Sequence, residues 1–340
     1  MYPMTDQFVA RCNGTGKPLH ILIAILMPLL RGAGACGVLA WALQAQAQES
    51  RVPSVQQLAP GVYAAIGQNS EPEPRNRGVV GNQGIIIGRD GVILIDTGTS
   101  ARHVSDLVAA VGRLTSKPIV LAINTHQNPA FVFGNGTLAL QGVPILAHHD
   151  VAALIAQRCQ KCLKKLIDIL GADEMDGTRV TVPTQTLDGA TTIDVAGRKL
   201  DILYYGHSSS PGSIGVLDRE SGVLFAGGLV SIGRIPDAKD AHIAEWLAAL
   251  QDIKARRPSR IVPGEGPVSS VTELADLSGY LTALEDIVKN TFKAGISLGK
   301  AGESSQLPQF QQWPLYQTFH NRNVEHQYLQ LERRILNEQS

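Results

Sequence analysis

Apolar positions along this chain switch repeatedly between a two-residue and a three-to-four-residue spacing, and each switch predicts a change of element. From Val55 the segment V-Q-Q-L-A-P-G-V-Y-A-A-I-G places two short strand-like runs around the turn dipeptide Pro60-Gly61. Residues 68–78 are polar, with two prolines, and read as an exposed loop. Gly84–Gly88 and Val92–Ile95, joined by Arg89-Asp90-Gly91, carry the Asp-Gly signal of a hairpin. Helical spacing over 100–113 (Val104, Leu107, Val108, Val111) gives way to a buried strand at 118–123. A helix at about 136–141, a strand at 144–147 and a long helix over 151–170 follow. Strands are then predicted at 179–182, 191–195 and 199–204, with a hairpin from 214–217 and 223–225. The order closes with a helix at 241–255, a strand at 260–262, and helices over 271–293 and 314–337. Strands interleaved with helices and hairpins predict an α/β fold, an αββα sandwich of two mixed β-sheets with a C-terminal helical extension.

Composition supports a large β-rich core: the 340 residues are 44% hydrophobic but only 5% aromatic, with 34 glycines for tight turns. Lys+Arg and Asp+Glu both number 30, so neither a nucleic-acid nor an anionic-membrane partner is expected. The first 47 residues predict a signal peptide, with an apolar run from Ile21 to Leu30, Arg31, a second run from Gly32 to Leu43, and Ala45-Gln46-Ala47 as cleavage site. Met27 alone also begins a segment with the shape of a whole leader, so the start is either Met1 or Met27. Arg31 in mid-segment argues against a retained membrane anchor. The expected organisation is therefore a leader at 1–47, a sandwich domain at 48–270 and a helical extension at 271–340. The mature chain would be periplasmic or secreted, without membrane insertion.

Strand 118–123 runs into Asn124-Thr125-His126-Gln127-Asn128-Pro129-Ala130-Phe131-Val132-Phe133-Gly134-Asn135. This loop resembles the N-T-H-x-H-x-D-H-x-x-G-N signature of the metallo-β-lactamase superfamily. Four more blocks are similar and occur in the family's order: Asp96-Thr97-Gly98, Gly206-His207 through Ser213, Leu224 through Val230, and Val262-Pro263-Gly264-Glu265-Gly266-Pro267. The resemblance covers about residues 55–270. It implies structural roles for Asp96, Gly98, Gly134 and Asn135, and a zinc pair held at positions 126, 128 and 207 and at 130, 131 and 265, bridged at 228.

Those ligand positions have largely changed. Asn128, Ala130, Phe131 and Gly228 replace two histidines and two aspartates, and Glu265 replaces the last histidine. Ala, Phe and Gly offer no donor atom, and an Asn amide oxygen is a poor zinc ligand beside imidazole. His126, His207 and Glu265 remain, a set able in type to hold one zinc or another divalent metal. The resemblance implies that His148 and His149 pack near the site without ligating.

Cys159 and Cys162 lie one turn apart on or near the start of the long helix, where a local disulfide is expected and a redox role is the alternative. The segments Trp313–Tyr316 and His320–Glu332 resemble the C-terminal helix of exported relatives in sulfur-oxidation and quinoprotein relay systems, which implies a periplasmic redox or quinoprotein partner. Two readings follow. One is a non-canonical or inactive family member serving such a pathway, favoured by the joint loss of ligands. The other is a divergent mononuclear metal-dependent hydrolase of thioester- or lactone-like substrates, using His126, His207 and Glu265.

Overall fold

The computed structural model describes residues 53–338. The leader expected at 1–47 lies outside these residues. Seven strands form the first sheet in chain order: β1 Val55–Ala59, β2 Val62–Ala65, β3 Gln83–Ile87, β4 Val92–Ile95, β5 Ile119–Ile123, β6 Ile145–His148 and β7 Gln185–Leu187. Its first four strands are antiparallel, and β4 to β7 run parallel. The second sheet has five strands: β8 Thr191–Val195, β9 Arg198–Tyr204, β10 Ile214–Asp218, β11 Val223–Ser231 and β12 Arg260–Glu265, in spatial order 12-11-10-9-8. Only β11 and β12 pair in parallel, so both sheets are mixed.

Strand β4 shows why its sequence is apolar throughout. Ile93 and Ile95 point into the inter-sheet core with Ile86, Ile202, Val216 and Phe225, while Leu94 points outward. There it meets Leu107 and Val111 of α1 (Ala101–Leu114). A strand buried on both faces has no polar side to show. Helix α1 starts where Ser100 accepts a hydrogen bond from the His103 amide at 3.0 Å. Two short helices follow β5, α2 (Pro129–Val132) and α3 (Asn135–Leu140), and then α4 (His149–Leu170). The second sheet is covered by α5 (Ile243–Arg256), α6 (Leu274–Lys293), α7 (Leu298–Ser304) and α8 (Tyr316–Glu338), with Trp246, Tyr280 and Val324 in one apolar cluster. These layers are the αββα sandwich and C-terminal helical extension that the pattern predicts. Among the described residues no helix is long and apolar enough to cross a membrane.

Two local expectations are corrected. The strand expected at 179–182 is irregular: the Thr181 carbonyl accepts from the Asn135 side chain rather than from a neighbouring strand, and Pro183 has no amide to donate. Pairing with β6 begins only at Gln185. Cys159 and Cys162 lie in the middle of α4, not at its start, and are free thiols rather than the expected disulfide. In a regular helix, side chains one turn apart hold their Cβ atoms about 5–6 Å from each other, wider than the roughly 3.8 Å of a relaxed disulfide, so the reduced pair is the unstrained form.

Candidate functional site

The signature loop is built from the outside inward. Asn124 and Asn135 exchange side-chain hydrogen bonds at 2.7 and 3.1 Å, and Asn135 also accepts from Thr97 Oγ1 at 2.8 Å. All three are fully buried, so every one of these bonds replaces water that cannot return. Gly134 fits because any Cβ there would lie 2.1 Å from the Thr97 carbonyl oxygen. Gly98 takes a positive φ of 86° above the His103 ring. Asp96, itself at φ 62°, accepts from the Thr125 amide at 2.8 Å and bonds its hydroxyl at 2.7 Å. Burial raises the Asp96 carboxyl to about 8 against the pull of the Thr125 hydrogen bonds.

The interior of the loop is arranged for packing. Asn128 caps α2, its Oδ1 accepting from the Ala130 amide at 3.0 Å, which occupies the oxygen a metal would need. Phe131 is fully buried and tilts against His126 with ring centroids 4.3 Å apart. A Cβ on Gly228 would approach the His126 ring to 2.8 Å: the imidazole takes the room that a longer side chain at 228 would require. His126 Nδ1 bonds Thr125 Oγ1 at 2.9 Å, and burial lowers this histidine to about 3, leaving it neutral.

The three remaining ligand types do not converge. Glu265 lines the cleft with His126 and accepts from Ser231 Oγ at 3.0 Å. His207 is not part of the cleft lining. It follows Gly206 at φ 65°, its Nε2 bonds the Asp240 carbonyl at 2.6 Å, and its ring stacks on His242 at 3.6 Å. Among the described residues, the three metal-capable side chains with donor atoms all within 4.8 Å of one another are His148, His149 and Asp150. That set is also a helix start: His148 Nδ1 caps the Asp150 amide at 3.2 Å, and His149 bonds Asp188 at 3.1 Å. The residues in the cleft therefore do not fit the zinc pair implied by the signature, and the small cluster at 148–150 is a different and incomplete set.

The cleft measures about 110 Å³, below the roughly 300–1,000 Å³ of drug-sized ligand sites. Sequence reading missed much of its rim. Lys239, Asp237 and Asp240 come from the segment between β11 and α5, and Arg158 comes from α4, beside the Cys162 that the sequence singles out. Arg158 pairs with Asp240 at 3.0 Å and Lys239 with Asp237 at 2.6 Å. Burial pushes the Asp237 carboxyl up, but Lys239 and Arg322 outweigh it and hold it below the usual range. Helix α8 hangs this rim from above. Asn323 Oδ1 accepts from the Ala238 amide at 2.9 Å, its Nδ2 donates to the Pro236 carbonyl at 2.8 Å, and Gln327 donates to the Ala238 and Ala241 carbonyls. The residues of the tail that stood out in the sequence are thus the clasp of the cleft's rim.

The architecture and the ordered blocks define a metallo-β-lactamase-type sandwich. Over residues 76–265 the sequence matches the family model of the metallo-beta-lactamase superfamily, more than half of the chain, and the chain belongs to that superfamily. Solved structures agree on the fold. A metallo-beta-lactamase from Pontibacter korlensis aligns with a TM-score of 0.56 at 21% identity, over 67% of this chain and 98% of that one. One from Hirschia baltica gives 0.54 at 22% identity over 68% and 98%, and DIM-1 metallo-beta-lactamase 0.53 at 17% over 67% and 96%.

Proposed function

We propose that this chain is a non-hydrolytic member of the superfamily, whose cleft keeps the family's frame without its metal chemistry. The observation that carries the reading is the packing of His126 on Gly228: the imidazole expected to ligate one metal fills the place of the residue expected to bridge two. The cap made by Asn128 and the outward bond of His207 support it. Protein purified without chelator is expected to hold well under one equivalent of metal and to leave β-lactam, thioester and lactone substrates intact. One tightly held metal per chain, lost in His126→Ala, would overturn the reading and restore the mononuclear hydrolase. Gly228→Asp alone is expected to displace His126 and to recruit no zinc.

We place this protein in the periplasm after removal of its leader, as an accessory to a redox pathway with a quinoprotein or other redox protein as partner. The apolar leader pattern, the A-x-A site and the resemblance of the tail support that assignment. Cell fractionation with mass measurement of the mature N-terminus tests it. A full-length cytoplasmic product would sink the location.

A further inference from the structure

Two sulfurs open on the same cleft. Cys159 is buried at 1% exposure, and its thiol lies 3.9 Å from the Gln127 carbonyl of the signature loop. Cys162, one helical turn later, is half-buried and reaches the cleft lining beside Arg158 and Lys239. The two thiols hydrogen-bond each other, an interaction that raises Cys159, already disfavoured by burial, and lowers Cys162. Cys162 falls to about 6, with Lys239, Lys165 and Arg158 adding to that hydrogen bond against the opposing effect of burial.

We propose that Cys159 and Cys162 form a thiol–disulfide exchange site facing the cleft, Cys162 attacking and Cys159 resolving, whose substrate is an accessible disulfide. The layout assigns the roles. The outer sulfur sits among cations that favour a thiolate, and the inner one is almost wholly buried beside it, against the Gln127 carbonyl. In the first step the Cys162 thiolate attacks one sulfur of the substrate disulfide, forming a mixed disulfide and releasing the other sulfur as a thiol once it takes a proton. Cys159 then loses its proton and attacks Cys162, closing the Cys159–Cys162 disulfide and releasing the second substrate thiol. Two electrons pass to the substrate, and its two thiols take one proton from Cys159 and one from solvent, where the Cys162 thiolate left its own. In the opposite direction the pair oxidises a dithiol. The hydrogen bond that holds the Cys159 proton disappears once Cys162 is in the mixed disulfide, so resolution is favoured only after attack. Helical spacing makes the closed pair a labile bridge rather than a structural one.

The inference goes beyond the lost metal site and does not depend on it, because metal analysis tests the one and thiol chemistry the other. Purified full-length protein is treated with glutathione disulfide, alkylated and read by mass spectrometry. Wild type should form the Cys159–Cys162 disulfide and recover both thiols with dithiothreitol. Cys159→Ser should stop at a glutathione adduct on Cys162, and Cys162→Ser should form none. In the reduced protein, Cys162 alkylation should inflect near pH 6, at a value that rises in Lys239→Met. Catalysed reduction of insulin would identify protein disulfides as substrates, and reaction with glutathione disulfide alone would identify small ones. Inertness toward both, or an unmodified Cys159→Ser variant whose circular dichroism and melting match wild type, would overturn the proposal.

Discussion

The floor and the rim of the cleft are built on opposite principles. The floor, from Asp96 through the loop 124–135, is closed on itself: Asn124, Asn135 and Thr97 satisfy one another, Thr125 bonds Asp96, and Phe131 and His126 fill what remains. The rim is wet and charged, with Arg158–Asp240 and Lys239–Asp237 pairs and a half-buried thiol, and it is held by a helix from the far end of the chain. Five ligand positions can therefore differ from the family pattern without unmaking the fold, because most of the hydrogen bonds that shape the loop come from other residues. In this molecule scaffold and chemistry are separable, and the reactive groups that remain are concentrated on the rim.

The separation predicts where damage is greatest. Asn135→Ala strips partners from Asn124, Thr97 and the Thr181 carbonyl, and at about 1–3 kcal/mol per buried unsatisfied group should cost about 3–5 kcal/mol in urea unfolding. A loss below about 1 kcal/mol would break the account of the floor. Asn323→Ala on the rim should cost about 2 kcal/mol through two orphaned backbone groups, and should also shift the alkylation midpoint of Cys162 upward as Lys239 moves. An unchanged midpoint would show that the clasp does not set the rim's charge.

Acidification tests the floor's buried histidines. His103 and His126 are lowered by burial to about 4 and about 3, so below their unfolded pKa of about 6.5 the unfolded chain binds protons that the folded chain refuses. Stability then falls as pH falls. Asp96 works the other way, since the folded carboxyl keeps its proton below about 8 while the unfolded one releases it down to about 4. Two histidines against one carboxyl leave a loss of about 1.4 kcal/mol per pH unit between about pH 6 and 4.5. His148, His242 and His320, also lowered by burial, add to the loss. Asp96→Asn should steepen the slope by a further ~1.4 kcal/mol per unit, and a flat profile would contradict the buried neutral histidines. The smallest effect is expected at the helix cap. Asn128→Ala should cost about 1 kcal/mol and Asn128→Asp almost nothing, whereas a ligand role would make both changes alter metal content.

Most of the fold could be read from the sequence because its blocks are local. The N-T-H loop meets the D-T-G turn where the adjacent strands β4 and β5 end, and the V-P-G strand pairs with β11. The misreadings fell where distant contacts decide. Val180 and Val182 look like strand residues, but Asn135 takes the carbonyl between them. His207 has the right neighbours for a ligand, yet Asp240, 33 residues away, sets its direction. Lys239 and Asp237 carry no local signature, since distant residues such as Arg322, Asn323, Gln327 and Gln330 of α8 hold their segment. The loss of the zinc pair was legible residue by residue, but the filling of its space was not.

That filling has a consequence for rebuilding the site. A Cβ on Gly81 would lie 2.6 Å from the Phe131 ring, just as one on Gly228 would crowd His126. An aspartate regained at 228 must first evict an imidazole, and a histidine regained at 131 leaves a hollow against Gly81 before it meets any metal. Restoring the family pattern one residue at a time therefore meets a steric cost at 228 and a packing loss at 131.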